Sequence, residues 1–455
     1  MSNRRRCAAP LIEDPPSGKR IVGEPGMRVT KKVLLPEWWT RLKCYLDSCY
    51  KERQFATNVN HFANLVFRTG SYMSVDFPKV MLLIESSRSS GRELLHGIVN
   101  YVRLQGPWSF YWEPRGMGQP APAGDWRPDG IILRDSERLD EMLAYQVPTV
   151  VVGHSKEQVP GMVNIITDSD RISRIAAEHL LACGLTHFAF CGFGNRPWSR
   201  ARLGAFADQL RKEGYEMLSY ESDEGPPGLN GWQQESAMLA AWLISLPKPV
   251  GIMGCNDDRA QQVIEACKLA GLQVPEEVAV IGADNDELVC DLADPPLSSV
   301  AINFERAGYE AATVLARLMR GEQLEQPRID VHPTHVVERR STNMTAVEDA
   351  QVARALQYIR SHSREPMQVD DVVRAAGVSR RVLEKRFRRV LRRSVLEEIR
   401  RARIAEITRL LVDTDASVLY IAVNTGFTGI EHIARYFRAS VGMSPSEYRR
   451  SYGRV

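Results

Sequence analysis

Ile421–Arg449 reads IAVNTGFTGIEHIARYFRASVGMSPSEYR. Gly426 interrupts an apolar helical pattern, and in the pattern that follows Ile433 and Phe437 stand four residues apart on one face. At about 100° per residue, Glu431, Arg435 and Arg438 point the other way, with His432 beside them. A helix, a sharp turn at glycine and a second helix with an apolar inner stripe form a helix-turn-helix unit, whose outer face is left for a major groove. The same device stands about 50 residues upstream in VDDVVRAAGVSRRVLEKRFRRV, residues 369–390. There Gly377 marks the turn, Ser379 is placed to cap the next helix, and Leu383, Phe387 and Val390 form the stripe. Arg381, Lys385 and Arg388 face outward, Arg380 flanks them, and Glu384 sits on the shoulder. One Arg-rich amphipathic helix is usually a solvated face; two with matching stripes and matching outward charges are a much stronger signal.

Charge points the same way. Residues 350–455 carry 21 Lys and Arg against 11 Asp and Glu, whereas residues 78–349 carry 25 against 38. A basic module on an acidic body suggests a polyanionic partner for the module, although charge alone leaves a solvated basic face equally open.

At this point a resemblance becomes specific. Ile421-Ala422-Val423-Asn424-Thr425-Gly426-Phe427, then Tyr436-Phe437-Arg438 and Gly442-Met443-Ser444-Pro445-Ser446-Glu447-Tyr448-Arg449, resemble the signature of the AraC/XylS-family DNA-binding domain over roughly 352–451. Two positions depart from the pattern: Val373 replaces a small residue, and Arg392 replaces a glycine after the first recognition helix. The resemblance implies an all-α domain of two helix-turn-helix units on double-stranded DNA. It assigns Ser379, Arg380, Arg381, Glu384, Lys385, Arg388, Glu431, His432, Arg435 and Arg438 to the DNA.

Upstream, apolar β-rich runs recur at 79–85, 130–133, 148–152, 187–192, 250–254 and 278–282. Helical patterns lie between them at 91–105, 137–145, 169–183, 199–213, 231–246 and 257–271, and another follows at 303–320. Continuous apolar strands alternating with amphipathic helices mean parallel sheets covered on both faces, with ligands beyond the C-terminal strand ends. A last strand-like stretch is HVVERRS, 335–341. Cys255-Asn256-Asp257-Asp258-Arg259-Ala260, Val280-Ile281-Gly282-Ala283-Asp284-Asn285, Leu297-Ser298-Ser299-Val300 and Arg202-Leu203-Gly204-Ala205-Phe206 resemble pieces of LacI/GalR-type regulators and periplasmic sugar-binding proteins. That implies a sensor of two Rossmann-like lobes, with Arg202, Asn256, Asp257 and Asp284 on the ligand. Asp and Asn exchange several hydrogen bonds with vicinal hydroxyls, and Arg forks across two oxygens. Helix N-capping is the competing role for Asn256 and Asp257. Arg88, Arg92, Arg134 and Asp135 follow other strands and are further ligand candidates, and Trp198 is placed to stack on a sugar or to pack.

Sensor first and AraC-type module last resembles the bacterial xylose-operon regulators over about 79–450. Asn285-Asp286-Glu287-Leu288, Glu338-Arg339-Arg340-Ser341-Thr342, and Ser379-Arg380 with Leu383-Glu384-Lys385-Arg386-Phe387 carry the match. This implies a transcription regulator answering to D-xylose or a related aldose. Ser86-Ser87-Arg88-Ser89-Ser90 does not match, which leaves a non-pentose sugar open. The expected partners are an operator duplex, the sugar, a second copy of the chain and RNA polymerase. No cofactor, metal, catalytic residue or membrane is expected, and the sign of regulation stays open.

The boundaries follow: an extension at 1–77, a sensor at 78–340, a connector at 341–350 and the DNA-binding domain at 351–455. Pro15, Pro16, Gly18, Gly23, Pro25 and Gly26 break up the start of the extension, which is either native or translated upstream of a true start at Met73. Eight scattered cysteines without zinc-ligand spacing suit a reduced, cytoplasmic setting. Gly192-Phe193-Gly194 lacks the third glycine of a dinucleotide fingerprint, which argues against an enzyme. A transport-type binding protein would share the sensor but has no use for residues 352–455.

Overall fold

The computed structural model describes residues 77–453, apart from 117–125, 136–138, 154–157, 224–228, 325–327, 344–348 and 392. The expected extension therefore lies outside the described residues except for Phe77, as does Arg392. The first lobe begins with β1 (Lys79–Leu83), α1 (Ser89–Gln105), β2 (Ser109–Trp112), β3 (Gly130–Arg134), α2 (Leu139–Leu143), β4 (Thr149–Val152) and β5 (Val163–Thr167). The second comprises α3 (Ser169–Ala182), β6 (His187–Phe193), α4 (Pro197–Lys212), β7 (Met217–Ser222), α5 (Leu229–Ser245), β8 (Val250–Gly254), α6 (Asp257–Ala270), β9 (Val278–Asp284), α7 (Glu287–Leu292) and β10 (Ser298–Ile302). The chain then returns to the first lobe for α8 (Phe304–Met319) and β11 (Arg328–Val331), and leaves it again for β12 (Pro333–Val337).

The first sheet, ordered β11-β5-β4-β3-β1-β2, is parallel throughout. The second, β12-β10-β9-β8-β6-β7, is parallel except for the antiparallel β10–β12 pair. The apolar runs form the middles of these sheets: Val80–Leu83, Ile131–Leu133, Ile252–Met253 and Val278–Ile281 are buried. Helix α1 lies against α8 at backbone contact. A Cβ on Gly97 would stand 1.8 Å from the Glu305 carbonyl oxygen, and one on Gly308 2.0 Å from that of Leu94. Only glycine at both positions allows so close a crossing.

The six expected strands are all present, and the structure adds β2, β5, β7, β10 and β11 together with α7. All the added strands are edge or near-edge strands, and MLSYES and RIDV interleave polar residues with apolar ones. Such strands carry no continuous apolar run. The last strand covers Pro333–Val337, rather than 335–341, because the following residues turn into the second lobe. Ser341 donates to the Val280 carbonyl (2.6 Å) and accepts from the Ser298 amide (2.8 Å). Thr342 donates to Ser298 Oγ at 2.7 Å. Both residues are buried within the sensor although the sequence places them in the connector.

The C-terminal module is all-helical: α9 (Ala350–Ser361), α10 (Val369–Ala376), α11 (Arg380–Leu391), α12 (Val395–Asp413), α13 (Val418–Asn424), α14 (Ile430–Val441) and α15 (Pro445–Tyr452). It has two separate apolar cores. Val352, Leu356, Leu383, Phe387, Val395 and Ile399 build one; Ile407, Leu411, Ile421, Ile433, Phe437 and Tyr448 build the other. Helix α12 contributes to both and is the bridge between them.

His179, on α3, packs beneath Thr342, with Nε2 2.8 Å from its Oγ1. Burial pulls the imidazole down to about 4 from 6.5, so the folded protein holds it neutral. The unfolded chain takes up the proton first as pH falls. The stabilising contribution is therefore complete above about pH 6.5 and is lost progressively toward pH 4. Urea unfolding at pH 7.5 and pH 5 should show a drop in stability for the wild type, and a smaller drop for His179→Gln.

Candidate ligand cleft and nucleic-acid interface

The strand ends of the two lobes border a cavity of about 270 Å³. Arg202 reaches it from α4 and is 2% exposed. Its Nη1 donates to the Cys255 carbonyl at 2.5 Å and its Nη2 to Asp284 Oδ1 at 3.3 Å, and the guanidinium stands 5.2 Å from the Trp198 ring centre. Nε has no hydrogen-bond partner among the described residues, and neither has the buried Oγ of Ser89 on the opposite wall. Asp284 ends β9 with φ +105° and Asn285 follows at +54°. Backbone this strained, on the order of 1–3 kcal/mol per residue, persists only when its surroundings hold it. Here the Asn285 amide donates to Ser299 Oγ (3.0 Å), and its side-chain oxygen accepts from Arg339 Nη1 (3.0 Å). Burial lifts the Asp284 carboxyl above the usual range, with Arg202 opposing the rise.

Asp257 also borders the cavity, but both its oxygens are in use. Oδ1 accepts from Ser299 Oγ at 2.5 Å and Oδ2 from the Asp286 amide at 2.7 Å. Burial, and then the charge of Asp284, raise it well above the usual carboxylate range. Asn256 caps α6, accepting from the Arg259 amide at 2.9 Å, and still lines the cavity. The lobes are pinned together at the start of α1. Arg88 is bidentate to Asp258 (2.9 and 2.8 Å), the Ser89 amide donates to Asp286 Oδ2 (2.7 Å), and Arg92 lies 3.6 Å from Asp286 Oδ1. Arg134 enters from β3, 3.6 Å from Glu85. Carboxylates and guanidiniums converging on a small cleft suit a neutral ligand rich in hydroxyls, which donates to one kind and accepts from the other.

In the C-terminal module Gly377 (φ +70°) and Gly426 (φ +83°) make the turns between α10 and α11 and between α13 and α14. Left-handed backbone costs glycine nothing, and at Gly426 a Cβ would also stand 2.9 Å from Pro366. Leu383 and Phe387 on α11, and Ile433 and Phe437 on α14, are fully buried. Arg381, Lys385, Arg388, Glu431, His432 and Arg435 are exposed. Neighbouring basic groups are tied down: Arg386 and Arg389 to Asp349 (2.9 and 3.3 Å), Arg380 to Asp370 (3.6 Å) and Arg438 to Glu447 (3.4 Å). No ion pair among the described residues engages Arg381, Lys385, Arg388 or Arg435. Ser379 stands before α11, its carbonyl accepting from the Leu383 amide (2.9 Å), and Glu384 is half-buried.

Residues 177–342 match the periplasmic binding protein-like domain family, and residues 372–451 the helix-turn-helix domain family. The xylose operon regulatory protein of Escherichia coli (strain K12) is 32% identical over 380 residues, 82% of this chain and 96% of the relative. The chain belongs to the family of xylose operon regulatory proteins. The Haemophilus influenzae member is 31% identical over 386 residues, 83% of this chain and 99% of its own. The solved structure of a xylose-binding transcription activator, 30% identical, covers 84% of this chain and 100% of that one at a TM-score of 0.53. Like its family, the chain is a DNA-binding transcription regulator and not an enzyme.

Of the ligand candidates read from the sequence, Arg88, Arg134, Arg202, Asn256, Asp257 and Asp284 border the cavity, as does Trp198. Arg92 and Asp135 are not in its lining; Asp135 is buried, its amide bonded to the Val152 carbonyl (3.0 Å). Sequence reasoning missed Asp258, Asp286, Thr167, Phe304 and Val331. Thr167 and Val331 end two of the strands that had not been recognised, and recognising them would have placed both residues at the cleft.

The split between buried stripe and exposed face has a measurable consequence. Phe387→Ala and Phe437→Ala should each lower stability by about 3–5 kcal/mol. Arg381→Ala and Arg435→Ala should stay within about 0.5 kcal/mol of the wild type. Denaturant titrations of the four variants check this.

Proposed function

We propose that the chain is a cytoplasmic transcription regulator whose effector is a single monosaccharide, D-xylose or a closely related aldose, held between the two lobes. The observation that carries this reading is the cavity itself. About 270 Å³ is room for one monosaccharide, and it is bordered by Arg202, Asp284 and Asn256, with Arg202 Nε and Ser89 Oγ unpartnered among the described residues. A family relative bears the name of the xylose operon, and the solved activator is described as xylose-binding. Arg202 and Asp284 hold the sugar directly; Asp257 shapes the wall by fixing Ser299 and the Asp286 amide; Arg88 and Arg134 close the cleft from the first lobe. On the DNA side, α11 and α14 enter the major groove. Arg381, Lys385, Glu431 and Arg435 meet base edges, and Arg380, Arg388 and Arg438 meet phosphates. Two chains occupy two half-sites, where RNA polymerase is the further partner.

Calorimetry with a panel of pentoses and hexoses tests the sugar. D-xylose should bind the wild type, and Arg202→Ala or Asp284→Asn should weaken it by about 1–3 kcal/mol, roughly 5- to 150-fold. A panel in which no aldose binds or raises the melting temperature overturns the reading. On a selected duplex, Arg381→Ala and Arg435→Ala should each lose about 1–3 kcal/mol and relax the preference at one position. Arg388→Ala should instead weaken all sequences alike and flatten the salt dependence.

A further inference from the structure

The chain crosses between the lobes three times, and at each crossing one residue borders the ligand cavity; at two of them its neighbour touches the DNA-binding module, and at the third its neighbour holds one of those two. Thr167, Phe304 and Val331 line the cavity. Their neighbours are Asp168, Asn303 and His332. The three are tied to one another: the Asn303 amide donates to the His332 carbonyl (3.1 Å), the Asp168 amide to the Val331 carbonyl (3.0 Å), and His332 Nδ1 lies 3.0 Å from Asp168 Oδ2.

The end of α15 rests on this knot. A helix leaves its last carbonyls without intrahelical donors, and here the sensor supplies donors. Asn303 Nδ2 donates to the Tyr452 carbonyl (2.6 Å) and the Gly453 carbonyl (3.3 Å), and Arg306 Nη1 donates to the Arg450 carbonyl (2.5 Å). The Tyr452 ring stands edge-on to His332 (5.6 Å, 85°) and beneath the Arg171 guanidinium (4.5 Å). Arg171 also donates to Tyr448 Oη (3.3 Å), which donates to the Thr334 carbonyl (3.4 Å). Tyr448 in turn packs edge-on against Phe437, the buried residue of the second recognition helix (5.3 Å, 82°). Beside these contacts a cavity of about 340 Å³, bordered by Asn303, Arg306, Asp330, His332 and Tyr452, leaves the end of α15 room to shift.

We propose that α15 reads the closure of the sensor at its three lobe crossings, with Asp168, Asn303 and His332 as positioning residues that pass the state of the cleft through Tyr452 and Tyr448 to the second recognition helix. The proposal rests on the sugar-regulator reading above. Lobe closure is absorbed by changes in backbone angles at the crossings, so the donors that cap α15 move with it. A sugar that favours one arrangement of the crossings then favours one placement of α14, and the bound DNA acts back on sugar affinity by the same factor.

The test uses the full chain, D-xylose and a duplex selected by the wild type from a random pool. The readout is the ratio of DNA affinities with and without sugar. Asn303→Asp keeps the acceptor that caps α8, accepting from the Arg306 amide at 3.0 Å, but can no longer donate to the α15 carbonyls. It and Tyr452→Leu should bring the ratio to within about twofold of unity. Sugar affinity without DNA, and DNA affinity without sugar, should stay within about threefold of the wild type. Arg360→Ala breaks a different sensor contact, to the Ala182 carbonyl (3.0 Å), and should keep the wild-type ratio. A wild-type ratio retained in both hinge variants, or lost equally in Arg360→Ala, overturns the proposal. A wild type that binds no aldose, or whose DNA affinity ignores D-xylose, overturns the sugar-regulator reading and the proposal with it.

Discussion

A single chain builds both lobes, so it has to cross between them, and it does so after β5, after β10 and after β11. Those crossings decide much else. They bring the C-terminal ends of two sheets to opposite sides of one space, which is where parallel sheets present loops and helix starts to a ligand. They also make the core continuous: one apolar cluster runs from Val80 and Ile132 in the first lobe, through Phe304 and Ala307, to Phe188 and Ile281 in the second. The bilobed sensor is thus held by three peptide segments and a shared core.

The cleft is costly to build. Isolated charges lose their hydration on burial, and a buried carboxylate is kept only where it is paired or hydrogen-bonded. Asp257 meets that requirement with Ser299 and a backbone amide, Asp284 with Arg202, and Arg202 with a backbone carbonyl as well. Each group is fixed mostly by protein partners, with a residue of unmet capacity at Arg202 Nε. Groups oriented by protein partners have little left to order on binding, which is preorganisation. The Arg88–Asp258 and Ser89–Asp286 links differ in kind, because they span the lobes.

Local signals carried the reading of the sequence. The stripes Leu383/Phe387 and Ile433/Phe437 follow from helical periodicity alone, and both pairs are buried as that periodicity requires. Central strands such as VGIMG show as unbroken apolar runs because both of their faces are covered. SSVAI does not, since Ser298 and Ser299 are buried as hydrogen-bonding groups, to Ser341, Arg339 and Asp257, rather than as apolar ones. Asp284 is legible because it ends a recognisable strand and Arg202 because it sits in a family-like motif, whereas Thr167 and Val331 end strands without an apolar run. Contacts between distant segments had no local signal: nothing in the neighbourhood of Asn303 or Tyr452 announces that a residue 149 positions away in the chain will meet it.

Helix α12 has a consequence of another kind. Its early residues, Val395 and Ile399, belong to the core of the first helix-turn-helix unit; its late ones, Ile407 and Leu411, belong to the core of the second. Glu398, buried between Arg393 and Arg401 (2.6 and 2.9 Å), stiffens the near end. The two recognition helices are thus mounted at opposite ends of one 19-residue rod, about 28 Å long, while the major groove returns about every 34 Å. A rod of this kind does not stretch to suit its template. If both helices grip one duplex, as proposed above, a mismatch of the two spacings would be met by bending it, and the work of bending depends on the steps being bent. With both helices in the groove as proposed, base pairs that neither helix touches would then help to decide which operators the protein occupies.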